Sequence, residues 1–134
     1  MTPFPLKIVT PDGVQYAGQA EELIVRTTTG DMGILAGHMN CVAPLGMGRA
    51  TIVIDGKKQY AACIGGMLSV MGDKVTLVPT TFEWAKDIDE ARAERSYQRA
   101  QQILGSKDAS NTDITLAEAR LKRALVRRSV VTFK

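Results

Sequence analysis

Val78-Pro79-Thr80-Thr81-Phe82-Glu83-Trp84-Ala85-Lys86-Asp87-Ile88-Asp89-Glu90-Ala91-Arg92-Ala93 is the stretch over which the chain changes character. Up to Trp84 it is rich in β-branched and aromatic residues. Beyond Trp84 it turns charged and alanine-rich, the composition of a helix. The division holds outward to both ends. All five prolines precede Trp84, and of the twelve glycines only Gly105 follows it. Residues 1–84 carry six Lys+Arg against seven Asp+Glu, a balance of −1. Residues 85–134 carry eleven against seven, a balance of +4, which leaves the whole chain at +3. Two segments follow: an apolar, turn-rich, nearly neutral segment 1–84 and a basic, proline-free segment 85–134.

Composition excludes several classes. At 45% hydrophobic and 23% charged residues, the 134-residue chain is ordinary globular material and not a disordered tail. No apolar run approaches the roughly 18–20 residues of a membrane helix. Met1-Thr2-Pro3-Phe4-Pro5 has neither the basic nor the apolar region of a secretion signal. Two cysteines, Cys41 and Cys63, do not make a disulfide framework and read as buried free thiols.

Segment 1–84 reads as short strands. Phe4, Leu6, Ile8 and Thr10 alternate with Pro5, Lys7 and Val9 before the turn Pro11-Asp12-Gly13. Leu23, Val25 and Thr27 alternate in the same way before Gly30-Asp31. Residues 50–54 and 59–63 flank a loop opening on Asp55-Gly56, and residues 67–71 and 74–78 flank Gly72-Asp73. Both are hairpin signals. Gly65-Gly66 inside this pattern indicates a bulge or a close backbone approach. Eight to ten such strands predict a sandwich or barrel.

Segment 85–134 reads as two helices. Asp87 followed by Glu90 predicts a capping-box-like start, and residues 87–104 form the first helix. Ala93, Tyr97, Ala100 and Leu104 fall on one narrow stripe. Residues 105–111 read as a loop. From about Asp113 a second helix carries Ile114, Ala117, Leu121 and Ala124/Leu125 on one face. Alanine-rich seams bury little area, so this hairpin is a candidate for moving.

The residues argue against an enzyme. His38 is the one histidine, and the cysteines lack metal-ligand spacing. Gly30-Asp31-Met32-Gly33 and Gly46-Met47-Gly48 are turn glycines without the Gly-Lys-Ser/Thr ending of a phosphate loop. The helices are more informative. Arg92, Arg95 and Arg99 share one helical face, and Arg120, Arg123 and Arg127 repeat the spacing, with Lys122 and Arg128 adjacent. Such ladders are compatible with a solvated surface or with a polyanion site on a closed hairpin. Nucleic acid is disfavoured by the modest +3 and the absence of a basic run with interleaved aromatics.

Gly30-Asp31-Met32-Gly33-Ile34-Leu35-Ala36-Gly37-His38 resembles the G-[DE]-x-G-I-L-x-G-H stretch of the epsilon subunits of bacterial F-type ATP synthase. Ile8 to Gly13, Val42 to Leu45 and Tyr60 to Leu68 are similar to that family as well, and the resemblance runs the full length. It implies a β-sandwich of about ten strands over 1–84, then a helical hairpin over 85–134. It further implies a non-catalytic central-stalk subunit of a proton-translocating machine, peripheral on the cytoplasmic side of the cell membrane. The sandwich would bind the gamma subunit and sit on the c-subunit ring, with the loop around Asp31 and His38 facing that ring. The hairpin would fold onto the sandwich or extend into the alpha/beta catalytic head and hinder ATP hydrolysis. A purely structural stalk adaptor without ATP sensing is the alternative, and more remotely a β-sandwich with a basic arm that binds nucleic acid.

The resemblance narrows at Ile88-Asp89-Glu90-Ala91-Arg92-Ala93, which is similar to the I/L-D-x-x-R-A motif of members that bind ATP on the folded hairpin. By that similarity Glu83, Ile88, Asp89 and Ala93 hold the adenosine, and Arg92, Arg99, Arg123 and Arg127 hold the phosphates. ATP would be a regulatory ligand, with no cofactor required. Lys122 and Arg128 could instead contact the beta subunit.

Overall fold

The computed structural model describes residues 1–133; Lys134, the last residue of segment 85–134, lies outside the described residues. The strands are β1 (Phe4–Thr10), β2 (Gly13–Ala20), β3 (Glu22–Thr27), β4 (Gly30–Ile34), β5 (Cys41–Pro44), β6 (Met47–Ile54), β7 (Lys57–Met71) and β8 (Lys74–Trp84). Alternation decides which side chains turn inward. Phe4, Leu6, Ile8 and Thr10 of β1 are buried, as are Leu23, Val25 and Thr27 of β3. The loop between β6 and β7 is two residues long, shorter than the sequence suggested. Asp55 and Gly56 take φ of 51° and 74°, both positive, the geometry that matches the twist of a tight hairpin.

Eight strands make ten sandwich segments because β7 and β8 each serve two layers. The first half of β7 pairs β6, from Lys57↔Ile54 to Ile64↔Met47. Its second half pairs β5, from Met67↔Pro44 to Val70↔Cys41. β8 accompanies β7 along its length, and its early residues Val75 to Leu77 pair parallel with β1. One layer is therefore β2, β1, early β8, late β7 and β5. The other is late β8, early β7, β6, β3 and β4. Both line one core, which contains Leu6 and Ile8 from the first layer and Leu23 and Ile52 from the second.

The change of layer is visible in the phase of burial. In β7 the core positions are Ala61 and Cys63 before the bend, then Leu68 and Val70 after it. In β8 they are Val75 and Leu77, then Phe82. An odd-to-even slip in a period-two pattern means the strand has turned over. Gly65 and Gly66, with φ of 66° and 98°, absorb that turn. A Cβ on Gly66 would lie 2.0 Å from the carbonyl oxygen of Val78, so the close approach expected from the glycine pair is present. Cys63 is buried, and burial pushes its thiol pKa up to about 12, so it stays protonated at neutral pH. Cys41 is only half-buried, because it starts the edge strand β5.

After Trp84 a single 3-10 turn, Ala85–Asp87, leads to α1 (Glu90–Leu104) and then α2 (Asn111–Val131). α1 starts later than its sequence suggested, and its cap is Asp89, not Asp87. The Asp89 carboxylate accepts a hydrogen bond from the Arg92 N–H at 3.0 Å. The reason is Ile88. It is 2% exposed, in an extended conformation, packed in a second apolar cluster with Ala62, Ala85 and Val130. Burying that side chain outweighs an earlier helix start. α2 begins two residues before Asp113 because Ser110 and Asp113 form a reciprocal capping box.

The seam between the helices is alanine as expected: Ala93, Ala100, Ala117 and Ala124 are all buried. Leu125 is 45% exposed, so Ala124 is the seam residue of that pair. Arg128 bridges the helices, donating to Glu94 at 3.0 Å while lying 4.0 Å from the Tyr97 ring centroid. The hairpin lies on the outer face of the second layer, where the cluster around Ile88 and Val130 joins it to Ala62 of β7.

Candidate functional site

One row of directly opposed residues crosses three strands beneath α2. Arg49 of β6 pairs Ala62 of β7, and Ala62 pairs Glu83 of β8. Opposed residues share a sheet face. The small central side chain lets α2 approach, and the two flanking charges rise on either side of it. On one side the Glu83 carboxylate accepts a hydrogen bond from Arg127 Nε at 2.7 Å. Both side chains of this pair are about two-thirds or more buried, with exposures of 32% and 26%. A charge-assisted bond in such a setting is stronger than one at an open surface.

Next to this pair a cleft of about 300 Å³ opens between sandwich and hairpin. β8 contributes Glu83, the junction contributes Asp87, Ile88 and Asp89, α1 contributes Arg92, Ala93 and Ser96, and α2 contributes Arg127. Six of the eight nucleotide-site positions named from the sequence thus converge: Glu83, Ile88, Asp89, Arg92, Ala93 and Arg127. Arg99 and Arg123 do not line the cleft. Arg123 stands one helical turn from Arg127, about 6 Å along the axis, and Arg99 stands two turns beyond Arg92, about 10 Å. Both therefore lie further along the hairpin, away from the sandwich. Among the described residues no ion pair or ring contact engages the side chains of Arg92, Arg99 or Arg123.

Acidic and basic side chains share the cleft. The carboxylates of Glu83, Asp87 and Asp89 line it together with Arg92 and Arg127, and Arg99 and Arg123 follow outward along the helices. The carboxylates offer acceptors to amino and hydroxyl donors. Arg92, with Arg99 and Arg123 beyond it, offers unengaged guanidinium forks to phosphate oxygens. The buried Ile88 and Ala93 supply an apolar part of its wall. Asp87 and Ser96 were not among the positions expected. Ser96 follows Arg92 by four residues, so helical spacing alone places it on the same face. Asp87 reads from the sequence as a helix cap, which conceals its place in the cleft.

The second expected surface is open. Asp31 lies in β4 and pairs with Arg26 at 2.9 Å, both side chains more than half exposed. His38 follows β4 in the loop before β5, its Nδ1 2.8 Å from the carbonyl oxygen of Met39. Leu35 and Met39 on the same loop are 50% and 81% exposed. Among the described residues no group of His, Cys, Asp and Glu is placed to hold a metal ion, and no helix is long and apolar enough to cross a membrane.

Known proteins resemble the chain in both segments. Residues 3–85 match the ATP synthase delta/epsilon chain β-sandwich domain, and residues 86–131 match the long α-helix domain of the same chain. The chain is 42% identical to the ATP synthase epsilon chain of Bacillus cytotoxicus, with all of both chains covered. It is 42% identical to the ATP synthase epsilon chain of Ruminococcus albus, again with full coverage of both. The fold is similar to that of a chain in the Euglena gracilis mitochondrial ATP synthase assembly of OSCP, F1 and c-ring. That match has a TM-score of 0.85 at 21% identity, covering 98% of this chain and 82% of that one. A chain of the Tetrahymena thermophila mitochondrial ATP synthase central stalk and c-ring gives 0.60 at 12% identity, covering 95% of each. With a sandwich, a docked helical hairpin and full-length relatives in agreement, the chain belongs to the ATP synthase delta/epsilon chain family.

Proposed function

We propose that this chain is a non-catalytic rotor subunit of the F1 sector of a proton-translocating ATP synthase, and that its hairpin is a switch held down by ATP. In this reading the sandwich docks on the gamma subunit and the c-subunit ring, with the Asp31 and His38 region turned to the ring. The subunit is then peripheral to the cell membrane on its cytoplasmic side. The hairpin, released and extended, brings its +4 segment to acidic surfaces of the alpha/beta head and slows ATP hydrolysis.

The observation that carries the nucleotide half is the cleft between sandwich and hairpin, lined by Glu83, Asp87, Asp89, Arg92 and Arg127. It is built from both segments, so a ligand filling it binds the docked hairpin and not the extended one. Such differential affinity is what shifts a two-state equilibrium. The unengaged Arg92, with Arg99 and Arg123 beyond it, supports a polyphosphate as the ligand. Truncation after Asp87 tests the regulatory half in the assembled complex. The expected result is ATPase activity raised several-fold over the complex carrying the full chain. Unchanged activity would leave only the structural-adaptor reading.

A further inference from the structure

The same row of the sheet grips α2 at a second point. Residues 127, 130 and 133 are three apart and follow one face of the helix and its closing turn. Arg127 bonds Glu83, Val130 packs in the cluster with Ala62, and Phe133 meets Arg49. The three sheet partners are the opposed row Glu83, Ala62 and Arg49. The turn that places Phe133 is closed by its N–H donating to the carbonyl oxygen of Val130 at 2.9 Å. The guanidinium carbon of Arg49 then lies 4.1 Å from the Phe133 ring centroid and 5.3 Å from that of Tyr60. The two rings are 4.8 Å apart and tilted by 39°. Among the described residues Arg49 has no carboxylate partner. Its cation lies over both rings.

We propose that Arg49, Tyr60 and Phe133 form a cation–aromatic latch that holds α2 on the sandwich independently of any ligand in the cleft. This rests on the reading that the hairpin moves. Glu83–Arg127 is the one ion pair between sandwich and hairpin among the described residues. A phosphate ligand competes with Glu83 for Arg127. With that pair as the only polar tie, the ligand would loosen the docked state it selects. Arg49 does not line the cleft and stands on the far side of Ala62 from Glu83. The latch therefore stays closed while Arg127 changes partner.

Amide hydrogen exchange on the full chain, without nucleotide, tests the latch. The readout is exchange at residues 124–131 relative to the core of β7. Phe133→Leu keeps an apolar side chain but removes the ring, and Arg49→Met keeps the stem but removes the charge. Each is expected to speed exchange of the α2 segment about fivefold while β7 is unchanged. Phe133→Tyr is expected to leave it as it is. Combining Phe133→Leu with Arg49→Met should add little, because both break the same stack. Val130→Asp unseats the shared apolar cluster and serves as the reference for a released hairpin. If Val130→Asp releases α2 while the Leu and Met variants do not, the latch is overturned and the moving hairpin stands. If none of the three releases it, the moving hairpin fails as well. If Phe133→Tyr opens as far as Phe133→Leu, the aromatic ring is not what holds.

Discussion

Millimolar ATP is expected to raise the melting temperature of the full chain, and Arg92→Ala combined with Arg123→Ala to remove that rise. A ligand bound only to the folded, docked state stabilises it by RT ln(1 + [L]/Kd). At ten times Kd this is about 1.4 kcal/mol, roughly 4–7 °C for a chain of this size. The choice of arginines matters. Arg127→Ala would also break the tie to Glu83, so a lost ATP effect could reflect an undocked hairpin. Arg92 and Arg123 carry no ion pair among the described residues, and their replacement is expected to cost the ligand-free chain little. Removing two of four guanidiniums withdraws half the positive charge facing the phosphates. The ligand-free melting point should stay within a degree or two while the ATP response disappears. Equal melting of the parent chain with and without ATP would end the nucleotide reading.

The second large effect belongs to the fold. Gly66→Ala is expected to destabilise the sandwich by about 3–5 kcal/mol, enough to leave much of the chain unfolded at 37 °C. Two costs add. At φ of 98° a Cβ is strained by its own backbone. The same Cβ would lie 2.0 Å from the Val78 carbonyl oxygen and 2.7 Å from Pro79 Cα, both backbone atoms that cannot rotate aside. Gly33→Ala provides the comparison. Its Cβ meets nothing within 4 Å and its φ is not positive, so a change within about 0.5 kcal/mol is expected. Denaturant unfolding of both variants checks the pair. Equal midpoints would mean that the bend at Gly66 is not the hinge between the layers.

That bend also shows how far the sequence could be read. Strict alternation at Phe4 to Thr10 and Leu23 to Thr27 located the core directly, since period-two burial is a local property of a strand. The crossing of β7 between layers was legible only as Gly65-Gly66, and its meaning needed the phase of burial on both sides. The sequence therefore reads β7 as two strands, 59–63 and 67–71, and shows only the first part of β8, 74–78. On the helices, the alanine seam was readable because spacing fixes a face. The start of α1 was not. Asp87 and Asp89 are both good caps, and the contest was settled by Ile88, whose burial depends on Ala62 and Val130, far away in sequence.

The candidate site divided in the same way. The motif Ile88 to Ala93 folds locally, and its residues arrive in the cleft together. Glu83 and Arg127 are 44 residues apart, and they meet because late β8 and α2 share one face of the sheet. Arg99 was grouped with Arg92 by helical phase, which fixes direction around the axis but not distance along it. Two turns separate them, so Arg99 lies past the cleft on the groove, where only a ligand with an extended anionic tail would reach it. The latch at Arg49 was invisible from the sequence because it joins a strand residue with no distinguishing neighbours to a ring just past α2.

Calorimetric titration of the full chain with ATP and ADP decides whether the cleft takes a nucleoside triphosphate when the hairpin is down. A nucleotide-held hairpin predicts saturable binding at one site per chain. ATP should bind more tightly than ADP, because the further phosphate extends toward Arg99 and Arg123. Heats no larger than dilution for both nucleotides would contradict the claim. Equal affinity for the two would contradict the role given to the outer arginines.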